Sequence, residues 1–193
     1  IQLAAAAQPD AWPQKPVRLA IPMEPGGPVD ITARLVARRL TERLGQPVLV
    51  ENRSGAGGSI APTLVARSAP DGHVLLFMSK SSLLAKLVQA GAAPYDLLAE
   101  LAPITQTDSQ ETILVVNGGQ LRALAITGPR RSKLLPALPT FGEQGIAGLE
   151  NGSWKGFLAP YGTPGRIIAS LQAEILDIMN SPDVTRLLEG GEE

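Results

Sequence analysis

A regular alternation of short apolar runs, glycine-rich loops and amphipathic segments fills the first 80 residues, and it constrains the fold more than any other feature. The runs "VRLAIP" (17–22), "PVLVEN" (47–52) and "HVLLFMS" (73–79) are predicted strands. Between them, "DITARLVARRLTERLG" (30–45) and "SIAPTLVARSA" (59–69) are predicted helices. A strand–helix–strand–helix–strand order predicts a parallel sheet covered by helices on both faces.

The rest of the chain extends this pattern. Four further strand-like runs occupy 101–106, 112–117, 120–127 and 155–160. Asn-Gly separates the second from the third, which predicts a hairpin over 112–127. A loop, short helix and turn are expected at 136–150, and a helix ending near Met179 is followed by a shorter one. We expect one α/β domain over 12–193, with at least one antiparallel strand made by 112–117 or 120–127.

The loops "PMEPGGPVD" (22–30) and "RSGAGG" (53–58) each follow a predicted strand and precede a predicted helix. Glycine-rich loops of this kind expose backbone N–H groups beside a helix N-terminus, and both features favour an anion or a carboxylate. In an open α/β sheet the carboxyl ends of the strands are also where ligands bind. The alternative is that the glycines only make tight turns. Asp30 is either the N-cap of its helix or a carboxylate that faces a ligand.

Composition and motifs exclude several functions. Charge is balanced, with 17 basic and 18 acidic residues, so nothing indicates nucleic acid as a partner. The chain has no cysteine, which rules out thiolate metal sites, and its one histidine, His73, rules out metal sites built from several histidines. His73 directly follows a predicted turn, which favours a residue at the start of a strand over a catalyst. No phosphate-binding or nucleophile motif is present. We therefore expect no enzyme, no cofactor, no metal and no transmembrane segment.

The N-terminal "LAAAA" (3–7) is typical of the end of a secretory signal with a small-residue cleavage site. Residues 1–11 are thus expected to be a signal-peptide remnant, cleaved close to Ala7, or else a disordered tail. The first alternative indicates an exported protein.

Several spaced motifs together resemble one family. The run from "KPVRLAIP" to "DGHVLLF", then "LAPITQ", "ILVVN", "LRALAITGPRRSKLLPALPTFGEQGIAGLE" and "GFLAPYGTPGRIIASLQAEI", is similar to the tripartite tricarboxylate transporter solute receptors, also called the Bug family. The resemblance implies a periplasmic protein of the type II binding-protein fold that delivers small carboxylates to membrane permease subunits. It implies ligand contacts at Pro25, Gly26, Gly27, Asp30, Ser54, Gly57, Gly58, Ser79 and Ser81. Trp154 either lies near the rim of the same ligand site or only packs against neighbouring residues.

The chain also departs from the family. A second lobe normally lies between the "LVVN" and "LRALA" strands, and here "NGGQ" joins them. We therefore expect a single lobe with the 112–127 hairpin where the second lobe would be inserted, and weak solute binding. Three residues near the loops are unusual: Glu24 would repel an anion, Pro28 replaces a glycine, and Lys80 either offsets Glu24 or blocks the site. The alternative function is a lobe-only module that docks on a permease or sensor without holding solute.

Overall fold

The computed structural model describes residues 12–80, 96–110, 112–117, 121–148 and 152–188. Strands and helices alternate through its first part, as the sequence predicts for the first 80 residues. The strands are β1 (Val17–Ile21), β2 (Val48–Asn52), β3 (Val74–Ser79), β4 (Leu101–Gln110), β5 (Ile113–Asn117), β6 (Leu121–Ile126) and β7 (Ser153–Pro160). The helices are α1 (Pro28–Leu44), α2 (Ile60–Ala66), α3 (Leu97–Glu100), α4 (Gly165–Met179) and α5 (Pro182–Leu188). No helix in the described parts of the chain is long and apolar enough to cross a membrane.

The central sheet has the strand order β2–β1–β3–β7–β4. β1 pairs in parallel with β2 and β3, whereas β7 runs antiparallel to both of its neighbours. The sheet is therefore mainly parallel, as predicted, but the prediction of which strand is antiparallel was wrong for this sheet. That strand is β7, because the chain re-enters the sheet at the edge where β3 ends, pairing Ser79 with Lys155.

Helices cover both faces of the sheet, which confirms the prediction. On one face Leu19, Phe77 and Phe157 belong to a core shared with α1 and α4, and the two phenylalanine rings stack at 4.4 Å. On the other face Leu76 and Leu158 pack with α2. The alternation of side chains along each strand produces these two cores from the same short apolar runs.

Residues 113–126 form the predicted hairpin strands, but these make a separate two-stranded ribbon, β5–β6, and not part of the central sheet. Their antiparallel register pairs Asn117 with Leu121. The turn residues 118–120 lie outside the described residues. Among the residues whose burial is described, none from this ribbon belongs to either core of the central sheet.

Two local predictions were wrong. Helix α1 begins at Pro28, and its N-cap is Gly27 instead of Asp30, because proline fits the first helical position and its missing N–H costs nothing there. The short helix expected within 136–150 is absent from the described part of that segment, where the chain makes turns around Thr140 and Phe141. Gly45 ends α1 as predicted, with a left-handed φ of 67°.

Candidate functional site

The two glycine-rich loops lie side by side at the edge of the central sheet where the parallel strands have their carboxyl ends. We call this the carboxyl edge. Both follow strands that run parallel in adjacent positions, β1 and β2, so the topology brings the loops together. The end of β3, the start of β7 and the end of β4 complete this edge. This is the edge at which open α/β sheets bind ligands.

The first loop presents the N-terminus of α1. The N-cap Gly27 is extended (φ −81°, ψ 167°) and makes no side-chain cap bond, so the first-turn N–H groups have no partner within the helix. Gly26 has a φ of 86°, a conformation that favours glycine. Pro25 and Gly26 are exposed and Gly27 is half-buried. The loop therefore offers bare backbone beside a positive helix end.

Asp30 lies behind this loop. It is 3% exposed, its Oδ2 accepts hydrogen bonds from the Gly26 N–H (2.9 Å) and Arg34 Nε (2.9 Å), and its Oδ1 accepts one from Asn52 Nδ2 (2.9 Å). The Arg34 guanidinium, outweighing the effect of burial and helped by the Gly26 N–H and Asn52, lowers the pKa of Asp30 to about 2. Asp30 is thus an ionised brace that fixes the loop; direct contact with a ligand stays a prediction.

Asn52 ties the two loops together, and the sequence reasoning missed it. Besides Asp30, its side-chain amide donates to the Met23 carbonyl (3.0 Å), while its own carbonyl accepts from Arg34 (2.9 Å). Its position at the end of β2, one strand from the first loop, is the sequence feature that could have indicated this role. A second link joins the loops, since Ser54 Oγ donates to Glu24 Oε1. The predicted ligand residue Ser54 therefore has an acceptor within the protein.

The second loop depends on glycine at two predicted positions. Gly57 and Gly58 have φ values of 64° and 82° and belong to a short 3₁₀ turn, Ala56–Gly58. Ser59 follows and is buried, with its hydroxyl donating to the Ala56 carbonyl (2.9 Å). The glycines are thus required by the turn itself, and their contact with a ligand remains a prediction.

Ser79 ends β3 at the same edge, and Lys80 follows it. Ser79 is 5% exposed, and Lys80 Nζ donates to the Gly152 carbonyl at 3.3 Å. Lys80 thus has a contact at the start of β7. Ser81, the last of the predicted ligand residues, lies outside the described residues.

A partly buried ion pair, also missed from the sequence, completes the edge. Lys155 Nζ lies 2.6 Å from Asp108 Oδ2, and the Lys155 N–H donates to Asp108 Oδ1 at 3.1 Å. The Lys155 side chain is 7% exposed and that of Asp108 is 24% exposed. "SWKGF" gave no hint of this, because the partner is set by the register of β4 against β7, which shifts just before Asp108.

Trp154 lies at the same edge but on the opposite sheet face from Lys155. Its ring packs over Gly156, where an added Cβ would lie 3.5 Å from the indole. It lines a hollow of about 210 Å³ with Thr105 and Gln106. Of the two alternatives for Trp154, these contacts favour packing against its neighbours.

The chemistry of the edge is that of binding. The polar groups are backbone N–H groups, hydroxyls, an ionised brace and an ion pair. Among the described residues no group of three potential metal-ligating side chains occurs.

The family model of the tripartite tricarboxylate transporter family receptor matches residues 32–118 and 115–192. The match is thus in two parts that meet at the end of β5. Protein BugT of Bordetella pertussis is 28% identical over 94% of this chain and 82% of BugT. That alignment runs over 266 positions, whereas 94% of 193 residues is about 181, so about 85 positions have no counterpart here.

Solved structures are similar along nearly the whole chain. A structure described as a periplasmic transporter is 25% identical, with a TM-score of 0.73 over 90% of this chain and 86% of that one. MatC (Rpa3494) from Rhodopseudomonas palustris, solved with bound malate, is 23% identical, with a TM-score of 0.73 over 93% and 89%. The second likeness shows a shared fold. With the family model matching more than half of the sequence, this chain belongs to the family of tripartite tricarboxylate transporter receptors.

Proposed function

We propose that this chain is the first lobe of a periplasmic receptor that binds small carboxylates and delivers them to the permease subunits of a transporter. The carboxyl edge carries the proposal: the uncapped N-terminus of α1 and the second glycine loop are held side by side by Asn52. Backbone N–H groups at a helix start favour a carboxylate. The malate bound in the MatC structure belongs to this class of solute.

The proposed ligand residues are those predicted from the sequence. In the first loop they are Pro25, Gly26, Gly27 and Asp30; beside it lie Ser54, Gly57 and Gly58, and after β3 come Ser79 and Ser81. Asp30 serves by holding Gly26 in place. Ser81 lies outside the described residues, and the others border the edge from three neighbouring strands.

The second lobe is proposed to be missing at the β5–β6 hairpin. The split of the family match at residues 115–118 and the roughly 85 unmatched BugT positions support this. A complete receptor closes over its solute and excludes water, which strengthens each polar contact. A single lobe offers about half the contacts, so a micromolar affinity (about −8 kcal/mol) becomes roughly millimolar (about −4 kcal/mol).

Titration of the ¹⁵N-labelled 193-residue chain with succinate, glutarate and butyrate, followed by NMR, tests the proposal. We expect millimolar binding that shifts the amide signals of Gly26, Gly27 and Gly57. Gly27→Val fits the backbone, because the added Cβ lies 4.0 Å from its nearest neighbour, the Glu24 carbonyl oxygen. It covers the helix start, so we expect at least a tenfold loss of affinity.

Gly165→Val is the matched control. It adds the same side chain at the first residue of α4, where no atom lies within 4 Å of the added Cβ. Binding of this variant should equal that of the wild type. Absence of carboxylate binding by the wild type, or equal losses in both variants, would contradict the proposal.

A docking module that holds no solute is the second candidate, and one observation favours it. Of the 13 exposed large hydrophobic residues in the described chain, seven lie within 113–146, so the apolar surface is concentrated on the ribbon and the segment after it. A hollow of about 550 Å³ there is lined by Leu114, Leu124 and Ile146, among others. Exposed apolar patches mark interaction surfaces. Butyrate and both diacids failing to bind would favour this candidate.

A further inference from the structure

Lys155 lies on the same face of the sheet as the start of α1 in the candidate site. In the sheet register Lys155 pairs with Ser79 on one side and with Asp108 on the other. Directly opposed residues of antiparallel strands project to the same face, so the side chains of Ser79 and Lys155 share a face. It is the face of Phe77 and Phe157, on which α1 packs. The ammonium therefore lies on the side of the sheet where α1 begins.

Within the described parts of the chain, the ammonium of Lys155 retains unused hydrogen-bonding capacity. An ammonium has three donor protons, and among the described residues its acceptor is one oxygen, Asp108 Oδ2. The side chain is only 7% exposed, so the remaining protons have little access to bulk water. A buried donor without an acceptor is costly, which favours an arriving acceptor.

Asp108 positions this ammonium. It accepts both from Lys155 Nζ and from the Lys155 N–H, which anchors the carboxylate to the backbone of β7. It also neutralises the ammonium, so a solute carboxylate must share Lys155 with Asp108. Removing the Asp108 charge should therefore strengthen the attraction, while removing the Lys155 charge should abolish it.

The spacing suits a second carboxylate. Neighbouring strands lie about 4.8 Å apart, so β7 is roughly 10 Å from β1, whose loop leads into α1. A short aliphatic dicarboxylate with one end on the first loop extends across β3 toward β7. We propose that Lys155 receives the distal carboxylate of a dicarboxylate solute and makes the lobe select diacids over monoacids. This inference rests on the proposed carboxylate-binding function.

Glutarate and butyrate distinguish the two claims. Both have one carboxylate for the loops, and glutarate alone has a second. For the wild-type 193-residue chain we expect glutarate to bind about tenfold more tightly than butyrate in the NMR titration. Lys155→Met and Lys155→Gln should each remove this preference, so that glutarate binds no more tightly than butyrate. Asp108→Asn should increase the preference, and Lys133→Met, at an exposed lysine, should not change it.

Each outcome decides something. A purely structural ion pair predicts that the Lys155 and Asp108 variants lose stability without altering the ratio of the two affinities, and that result would overturn the inference. The unfolding midpoint of each variant is measured first, and titrations are run where the protein is folded. If Asp108→Asn does not fold, the ratio in the two Lys155 variants decides alone. Failure of both acids to bind the wild type refutes the proposed function itself.

Discussion

Replacing Asp30 with asparagine tests whether this carboxylate braces the first loop. Asparagine keeps the shape but has one acceptor oxygen, so its amide nitrogen would oppose the donor of Asn52 or of Arg34. The pKa of Asp30 is lowered from 3.8 to about 2, chiefly by Arg34. At about 1.4 kcal/mol for each pKa unit, the ionised form contributes about 2 kcal/mol to stability at pH 7. The Asp30 side chain is 4% exposed but that of Arg34 is 52% exposed, so solvent screening makes about 2 kcal/mol an upper value.

The pH dependence has a definite sign. Because the folded-state pKa is lowered, the contribution is complete well above pH 4 and is lost as the pH falls toward 2. At pH 3 about half should remain, or about 1 kcal/mol. The difference between wild type and Asp30→Asn should therefore be about 2 kcal/mol at pH 7 and about 1 kcal/mol at pH 3. Urea unfolding followed by tryptophan fluorescence measures both values.

Asp177→Asn is the control, since Asp177 pairs with Arg43 but its side chain is 68% exposed. Its effect should stay below about 0.5 kcal/mol at either pH. The reasoning fails if Asp30→Asn costs no more than this control at pH 7. It also fails if the cost is the same at pH 3 as at pH 7.

Two further changes test the surroundings of the site and the packing behind it. Glu24→Ala removes a carboxylate beside the first loop, so glutarate should bind about two- to threefold more tightly in the NMR titration. The gain in affinity should be smaller at high salt, which screens the repulsion. Unchanged affinity would mean that Glu24 does not act on the solute. Gly72→Ala should lower the free energy of unfolding by about 2 kcal/mol in urea, because Gly72 has a φ of 78° and an added Cβ would lie 2.6 Å from Ile167 Cγ2. A cost within about 0.5 kcal/mol of zero would show that the neighbouring side chains move to accept the added methyl group.

Sequence patterns predict the alternation of the first elements, the parallel start of the sheet and the position of both glycine loops. These follow from local signals: the period of apolar residues, proline and glycine at helix ends, and the Asn-Gly pair between β5 and β6. Because parallel neighbours end at one edge, the sequence also determined that the two loops meet. The sequence pattern places the start of α1 at Asp30, two residues after its observed start at Pro28, because Asp30 resembles an N-cap and Pro28 follows two loop glycines.

The residues that hold the edge together are set by tertiary contacts that no local sequence pattern shows. The Asp30–Asn52 bond joins α1 to β2, and the Lys155–Asp108 pair joins β7 to β4 across 47 residues of chain. Likewise, nothing local in "SWKGFLAP" shows that β7 enters the sheet antiparallel between β3 and β4. Such pairings depend on strand order and register, which are fixed by burial of both faces of the sheet together and not by the preference of any single segment.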